Sequence, residues 1–308
     1  MNKDWLKHLA RLYMPVYQCE SETMKVAYAG YSSIKKYYFI RRLLKNDNRP
    51  TFVGMKCYWQ LPGLIKSNKL DILISEISMI VLDNFQKKNG YIIPEWITMK
   101  INIDRPLSEI CHRSLSDFSD VMRKIRKYSL TYELLHNKES VDHFYNNFYL
   151  PYLIKRHGVE AMIESLDTLR NVSRTSFIIA IKENGLTVGA ALVGKTTESL
   201  LLTRLGLLDG NDEYRRHGVI GAIYYFCIVE GQKMGCKYLD VGGTRPFLYD
   251  GLTKFKIGLG AEFITKLTKY NQYLWLVADE NSAIAAEYIK NNPLICVNKD
   301  FSVISSEI

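Results

Sequence analysis

The apolar positions of this chain recur with two periods, and each period predicts a different element. In residues 96–103 they alternate with polar positions, which predicts a half-buried strand. In residues 73–85 they recur at steps of three and four, which predicts a helix. Runs rich in Val, Ile, Tyr and Phe predict further strands at residues 25–31, 51–59, 130–135, 176–182, 187–195, 200–207, 237–241, 263–269, 273–277 and 295–304. Amphipathic stretches predict helices at residues 116–128, 140–156, 218–234, 251–259 and 282–291.

The order of these elements predicts the fold class. After residue 175, three strands, a helix, a strand, a short helix and further strands follow one another, which is typical of a mixed sheet covered by helices. We therefore expect an α/β (α+β) fold whose sheet is mixed and mostly antiparallel. A chain of 308 residues accommodates two domains, which we place at 1–115 and 116–308. Pro151 is expected to kink the aromatic helix 140–156 because it lacks a backbone donor.

Composition excludes a disordered chain, and the apolar runs predict no membrane span. Hydrophobic residues make up 47% and charged residues 24%, the balance of a folded domain. The longest near-apolar run, residues 219–229, is far shorter than the roughly 20 residues that a span needs. The first residues lack the apolar stretch of a signal peptide. We expect a cytoplasmic protein.

The charge favours anionic partners. Lys and Arg number 41 against 32 Asp and Glu, a net charge of +9. Part of this charge lies on the predicted helix 116–128, at Arg123, Lys124, Arg126 and Lys127. A solvated helix face is the ordinary interpretation, and a contact with a phosphate-bearing substrate is the alternative. A basic nucleic-acid-binding protein without catalysis is the least favoured function, because no known nucleic-acid-binding motif occurs.

The spacing of Cys and His predicts no metal site. The six cysteines form no C-x-x-C pair, and the six histidines form no i, i+4 pair.

The densest group of candidate chemical residues lies in residues 239–260. Asp240 stands at the carboxyl end of a predicted strand, where open α/β sheets bind ligands. Gly242 and Gly243 allow backbone to approach a ligand closely, and Pro246 holds Arg245 extended. The glycines can equally serve only a turn, and Asp240 can pair with Arg245 for structure alone.

The helix predicted after this loop carries two lysines. Asp250 is expected to cap it. Lys254 and Lys256 are expected to project from the helix, and the residues expected to face the core are Leu252, Phe255 and Leu259. The structural alternative makes Lys254 a solvated surface charge.

A second candidate site opens the helix 218–234. Gly218 and Gly221 leave backbone N–H groups free to face an anion, and Arg215 and Arg216 add positive charge. A pyrophosphate fits such a helix start. A glycine-bearing turn with two solvated arginines is the structural alternative.

These residues carry a resemblance to a known family. The element order after residue 175 is similar to the GNAT acyltransferase fold, and residues 239–260 resemble its FemAB-like branch and BioF-type acetyltransferase-like domains. Members carry Asp-x-Gly at a strand end and then an F-K-x-x-[aromatic]-G element. Here the second element reads Phe255 to Gly260, with Leu259 in place of the aromatic. The resemblance implies tandem GNAT-like domains, a degenerate one at 1–115 and an acyltransferase domain at 116–308.

The resemblance also implies a reaction. An N-acyltransferase would move an acyl group from acyl-CoA to the amine of a small biosynthetic or amino-sugar acceptor, which can carry phosphate. The alternative is a FemAB-like aminoacyl or peptidyl transferase that uses aminoacyl-tRNA on a cell-wall precursor. It is favoured by Ile220, which occupies a position where the coenzyme A turn carries Gly or Ala.

The resemblance and the residue chemistry together assign candidate roles. The lysine that matches Lys256 is implicated in stabilising negative charge, and Asp240 suits a base. Tyr249 is a candidate donor to a departing thiolate. The candidate catalytic residues are Asp240, Lys256 and Arg245; the cofactor-binding residues are Arg215, Arg216, Gly218 and Gly221; the substrate-binding residues are Gly242, Gly243, Tyr249 and Lys254.

Overall fold

The computed structural model describes residues 12–305, apart from 79, 87–89, 114–116, 137, 159–160, 162, 173–175 and 269. The described chain forms two compact units. The first contains the residues up to Ile97, Arg245–Thr253 and the residues from Ile264 onward, and the second contains Thr98–Thr244 and Lys254–Phe263. The division at residue 115 stays a prediction, because duplicated halves and compact units are different properties.

The strands, numbered in chain order, alternate with helices along most of the chain. They are β1 (Tyr13–Glu20), β2 (Lys25–Ala29), β3 (Thr51–Cys57), β4 (Ile72–Ile77), β5 (Tyr91–Pro94), β6 (Ile97–Asn102), β7 (Thr131–Leu135), β8 (Ser176–Glu183), β9 (Leu186–Lys195), β10 (Ser199–Leu207), β11 (Tyr238–Thr244), β12 (Glu262–Phe263), β13 (Tyr273–Ala278), β14 (Ile295–Val297) and β15 (Val303–Ser305).

The helices are numbered in the same way. They are α1 (Ser33–Leu44), α2 (Leu61–Asn68), α3 (Leu82–Gln86), α4 (Leu107–Arg113), α5 (Asp117–Lys127), α6 (Lys138–Phe144), α7 (Leu150–His157), α8 (Leu166–Val172), α9 (Asp212–Arg216), α10 (Val219–Lys233), α11 (Gly251–Gly258) and α12 (Ala283–Asn291). Short 3-10 turns occupy Tyr58–Gln60 and Leu208–Gly210.

The first unit is built on a six-stranded sheet in the order β3-β1-β2-β4-β13-β5. Its pairs are antiparallel except for β2 with β4. The prediction of a helix at residues 73–85 is wrong, because Ile72–Ile77 forms the strand β4 and, of the residues described in this range, helix begins only at Leu82. Every residue of β4 is buried between β2 and β13. A strand covered on both faces is mostly apolar, although β4 also buries Ser75 and Glu76. Short apolar runs do not distinguish strand from helix.

The second unit holds a seven-stranded sheet in the order β12-β6-β11-β10-β9-β8-β7. Strands β7 to β10 pair antiparallel in sequence order, and β10 pairs with β11 in parallel. Helix α10 is apolar around most of its circumference and packs in the core beside this sheet. The two mostly antiparallel mixed sheets with flanking helices confirm the expected fold class.

The aromatic helix is interrupted, as Pro151 predicted. Helices α6 and α7 are joined by a π-helical turn at Tyr145–Tyr149, which ends two residues before Pro151. A proline cannot donate its backbone hydrogen bond, and a wider turn accommodates the missing donor. Phe148 and Tyr149 in this turn are buried against the core of the second unit.

Two of the predicted C-terminal strands differ from the structure, whereas the one predicted at 273–277 is found at Tyr273–Ala278. In place of the strand expected at 263–269, the described residues form the short strand Glu262–Phe263, and residue 269 lies outside them. Residue 116, the expected start of the basic helix, also lies outside the described residues. The expected strand 295–304 is instead the antiparallel pair β14 and β15. Polar residues at 298–300 form the turn that folds the segment back on itself. Among the described residues, no helix combines the length and apolar character needed to cross a bilayer.

Candidate active site

Lys256 lies in the interior of the protein. The sequence predicts that it projects outward from α11, and this is wrong: the side chain is only 3% exposed. Leu252, predicted to face the core, is exposed, whereas Leu259 is buried as expected. The buried face of α11 is therefore rotated relative to the apolar pattern. A lysine on this face needs polar partners, since a buried ammonium without them is costly.

Two backbone carbonyls supply these partners. The Nζ atom of Lys256 donates to the carbonyl oxygen of Gly242 at 3.2 Å and to that of Gly243 at 2.9 Å. Both glycines lie in β11, which continues to Thr244 beyond the predicted end at residue 241. Gly242 has a φ of 72°, a left-handed conformation that glycine adopts without a Cβ clash. The unusual backbone here turns its carbonyl toward the lysine.

Asp240 shares this environment. Its Oδ1 atom accepts a hydrogen bond from the backbone N–H of Gly242 at 2.9 Å, and its side chain is half-buried. Burial lowers the pKa of Lys256 to about 8, while the negative charge of Asp240 acts in the opposite direction. The structure thus brings together a carboxylate, an amine and the two predicted glycines within the second unit.

The pairing of β10 with β11 ends at Asp240. The parallel register joins Ser199–Leu201 to Tyr238–Asp240, and β10 has an irregularity directly afterwards, between Leu202 and Arg204. Beyond this point no further pair between the two strands occurs in the described residues. Strands that stop pairing expose unpaired backbone groups, which can bind an extended ligand. Asp240 therefore stands where the sheet opens.

The start of α10 is the second predicted site. Gly218 precedes the helix with a φ of 88°, and no side chain caps the first N–H groups. A Cβ on Gly218 would meet the Lys124 side chain at 2.7 Å. Arg215 and Arg216 lie in the last turn of the separate helix α9, both exposed, and Arg215 pairs with Asp212 at 3.0 Å.

Gly221 serves packing. It is buried in the first turn of α10, and a Cβ there would lie 2.5 Å from a methyl group of Val121 in α5. The uncapped N–H groups and Arg216 fit an anion, whereas Gly221 faces a neighbouring helix. The residues present therefore fit a pyrophosphate through the helix start rather than through Gly221.

His217 fixes the turn between α9 and α10. Its ring stacks on Tyr128 with a centroid distance of 4.0 Å, and its Nδ1 lies 3.0 Å from a carboxylate oxygen of Glu183. These contacts hold the backbone of the turn in place.

Three candidates of the loop 245–250 belong to the first unit. Asp250 accepts a hydrogen bond from the backbone N–H of Leu252 at 3.0 Å, so its predicted capping role is confirmed. Its other oxygen lies 3.0 Å from Arg42. Arg245 is 9% exposed, whereas Tyr249 is exposed. Lys254, in the second unit, is also exposed.

No sequence motif predicts which side chains surround Arg245, because they come from distant parts of the chain. Its guanidinium carbon lies 4.4 Å from the ring centroid of Tyr38 and 4.1 Å from that of Trp96. Tyr38 belongs to the unpredicted helix α1. Trp96 could have been noticed in the sequence, because it is a large aromatic residue at a polar position of an alternating segment.

Among the described residues, no cluster of three His, Cys, Asp or Glu side chains could hold a metal ion.

Comparisons with known proteins give structural matches only. No family model and no curated protein matches the chain. The structure of FemX is 11% identical, covers 90% of this chain and 85% of its own, and has a TM-score of 0.46. L-PGS from Bacillus licheniformis is 9% identical over 89% of this chain and 84% of its own, with a TM-score of 0.41. A GCN5-related N-acetyltransferase from Sphaerobacter thermophilus is 11% identical over 85% and 76%, with a TM-score of 0.38.

Proposed function

We propose that the second unit is an N-acyltransferase that moves an acyl group from acyl-CoA to the amine of a small biosynthetic or amino-sugar acceptor. One observation carries the proposal: the buried amine of Lys256 and the carboxylate of Asp240 both hydrogen-bond the backbone of Gly242, just beyond the last pair between β10 and β11. Attack of an amine on an acyl carbonyl needs a proton acceptor and a group that stabilises negative charge on oxygen. These two side chains supply both.

Asp240 takes the proton in this proposal. An acceptor amine that attacks the acyl carbon loses a proton, and the half-buried carboxylate of Asp240 accepts it directly or through a water. The C–S bond of the thioester then breaks, and the departing coenzyme A thiolate takes up this proton and leaves as the thiol. The hydrogen bond from Gly242 N–H fixes the carboxylate and leaves its second oxygen for the amine.

Lys256 stabilises the oxygen that gains charge. An ammonium has three donors, and two of them are occupied by the carbonyls of Gly242 and Gly243. The third is available to the acyl oxygen. Because the ammonium of Lys256 is buried, water screens its charge little, and its attraction for a nearby oxyanion is stronger than it would be at the surface.

The start of α10 would hold the pyrophosphate of acyl-CoA. When bound, acyl-CoA supplies an activated acyl carbonyl. The uncapped N–H groups after Gly218 and the exposed side chain of Arg216 would bind the phosphates. Gly242, Gly243, Tyr249 and Lys254 remain proposed substrate contacts.

Aminoacyl-tRNA is the second candidate donor. Gly221 packs against Val121, and Arg215 is already paired with Asp212. Fewer groups of this turn are therefore available to bind the pyrophosphate of coenzyme A than the sequence predicts. The exposed residues Arg126 and Lys127 on α5 provide positive charge for a larger polyanion. The reaction at Lys256 and Asp240 would be the same with either donor.

A labelled-donor assay tests the proposal. The purified chain is incubated with radiolabelled acetyl-CoA, or with tRNA charged with a labelled amino acid, and a panel of amino sugars and amines. We expect label in an amide product from one donor, and at least a hundredfold less with Lys256→Met.

Lys237→Met is the matched control. Lys237 lies in the same unit, is exposed and forms a surface pair with Glu198 at 2.9 Å, so its loss should leave transfer unchanged. Equal transfer by Lys256→Met and the control would remove the proposal. So would the absence of any labelled amide with both donors.

A further inference from the structure

Arg245 is a buried cation that lies over two aromatic rings and has one buried donor atom without a hydrogen-bond partner. Its guanidinium lies 4.4 Å from the ring centroid of Tyr38 and 4.1 Å from that of Trp96, all within the first unit. Rings stack on the face of a guanidinium, whereas its N–H donors lie in its plane. The Nη1 atom is buried and donates to no described residue. A donor group of this kind is oriented for an acceptor that approaches edge-on.

Two hydroxyls in the neighbourhood of Arg245, those of Tyr38 and Tyr288, interact with the side chain of Arg42. Their own O–H groups donate to no described residue, and the Nε atom of Arg42 forms no hydrogen bond of ordinary geometry. Arg42 follows Tyr38 by one turn of α1, so the two side chains share a helix face. The charge of Arg42 acts on the pKa of both tyrosines, which places Tyr288 in the same neighbourhood.

All of these groups are donors at neutral pH. Burial raises the pKa of Tyr38, and it raises that of Tyr288 to about 12, so both hydroxyls keep their protons. A buried donor without an acceptor destabilises a protein by about 1–3 kcal/mol. The Nη1 donor of Arg245 and the two hydroxyl protons in one neighbourhood indicate that an acceptor belongs there.

The charge balance indicates an anion. Arg42 pairs with Asp250 at 3.0 Å, and Lys35 pairs with Glu95 at 2.6 Å. The two carboxylates whose charge acts on Arg245, those of Glu95 and Asp250, are therefore engaged by other cations. Arg245 has no ion-pair partner of its own among the described residues, although it is buried. A water molecule would satisfy its hydrogen bonds but not its charge.

We propose that Arg245, Tyr38, Arg42 and Tyr288 form a binding site in the first unit for one oxyanion group of a ligand, a carboxylate or a phosphate. Arg245 binds the oxyanion through its edge, and Tyr38 and Trp96 position the guanidinium. Trp96 is 39% exposed, so the site reaches the surface beside its ring. The inference goes beyond the proposed transfer reaction and needs no catalytic activity.

Tryptophan fluorescence of the full chain tests the site. Inorganic phosphate and, separately, sodium acetate are titrated at constant ionic strength. We expect the fluorescence to change saturably, in the millimolar range, with at least one of these anions, because the ring of Trp96 contacts the guanidinium of Arg245. A response to phosphate identifies a phosphate-bearing ligand and a response to acetate alone a carboxylate.

Variants distinguish anion binding at Arg245 from non-specific attraction of anions to a positively charged protein. Arg245→Gln should weaken the response at least tenfold, and Arg245→Lys should weaken it less, because lysine keeps the charge but loses the planar donors. Arg49→Gln is the matched control, since Arg49 is an exposed arginine of the same unit. Unchanged affinity in Arg245→Gln, or no saturable response of the natural chain to either anion, would overturn the inference.

Tyr288→Phe provides a measurement that does not depend on how Arg245→Gln folds. It removes a buried hydroxyl whose proton has no acceptor among the described residues and which interacts only with Arg42, so the thermal midpoint without anion should change little while anion affinity falls several-fold. A fall in the midpoint with unchanged anion affinity would assign the hydroxyl to structure and overturn its place in the site.

Discussion

The Nζ atom of Lys256 lies 2.9 Å from the carbonyl oxygen of Gly243 and donates a hydrogen bond to it. The lysine comes from a helix and the carbonyl from the end of a strand, so the contact ties α11 to β11 within the second unit. It also keeps a positive charge in a place with little water. Burial opposes this charge, which is why the pKa of Lys256 falls to about 8.

The first prediction concerns the pH dependence of transfer. If the ammonium of Lys256 stabilises the acyl oxygen, kcat should fall as the pH rises through about 8, where the ammonium loses its proton. Lys256→Arg keeps its charge and should remove this fall, at some cost in rate. The measurement is initial rate against pH with saturating donor. A rate that rises through this pH would instead make the neutral amine a base.

The second prediction concerns stability. Lys256 binds its proton less tightly in the folded chain, with a pKa of about 8, than in the unfolded chain, near 10.5. Between these values the unfolded state holds more protons, so the free energy of unfolding rises with pH by up to about 3 kcal/mol. Below about pH 8 this contribution is flat.

Urea unfolding at several pH values measures this effect as the difference between the natural chain and Lys256→Met. The methionine variant does not titrate at this position, so subtraction removes the other groups. A difference that stays constant from pH 7 to 10.5 would show that the folded pKa of Lys256 is not lowered.

The third prediction concerns Asp240. Asp240→Asn keeps an oxygen that accepts the hydrogen bond from Gly242 N–H but removes the base. We expect kcat to fall by about 10²–10⁴ while stability and donor KM change little. Glu198→Gln, an exposed carboxylate change in the same unit, is the control for lost charge. A loss confined to KM would assign Asp240 to binding alone.

The fourth prediction concerns Gly221. Gly221→Ala places a Cβ 2.5 Å from a methyl group of Val121 and should destabilise the chain by about 1–3 kcal/mol. Val121→Ala in the same chain should restore part of this loss, because it removes the methyl groups in the way. Thermal unfolding of the two single variants and the double variant measures the coupling. Strictly additive effects would argue against the contact.

Much of the second unit followed from its sequence, and parts of the first did not. The strands of residues 176–207 and the helix of residues 218–234 have clear periods and local turn signals, and they lie close to their predicted positions. Residues 72–77 carry the same apolar steps as a helix. They form a strand because neighbouring strands on both sides complete their hydrogen bonds, which local periodicity does not encode.

For the candidate site, the sequence by itself determined which chemical groups residues 239–260 contain. The identity and spacing of Asp240, Gly242, Gly243 and Lys256 are given by the covalent structure of the chain. Tertiary structure decided what those groups do: it buried Lys256 against two carbonyls and laid Arg245 on two distant aromatic rings. The reason is physical. Burial, pKa and hydrogen-bond partners depend on residues far apart in the chain, which meet only when the sheets and helices pack.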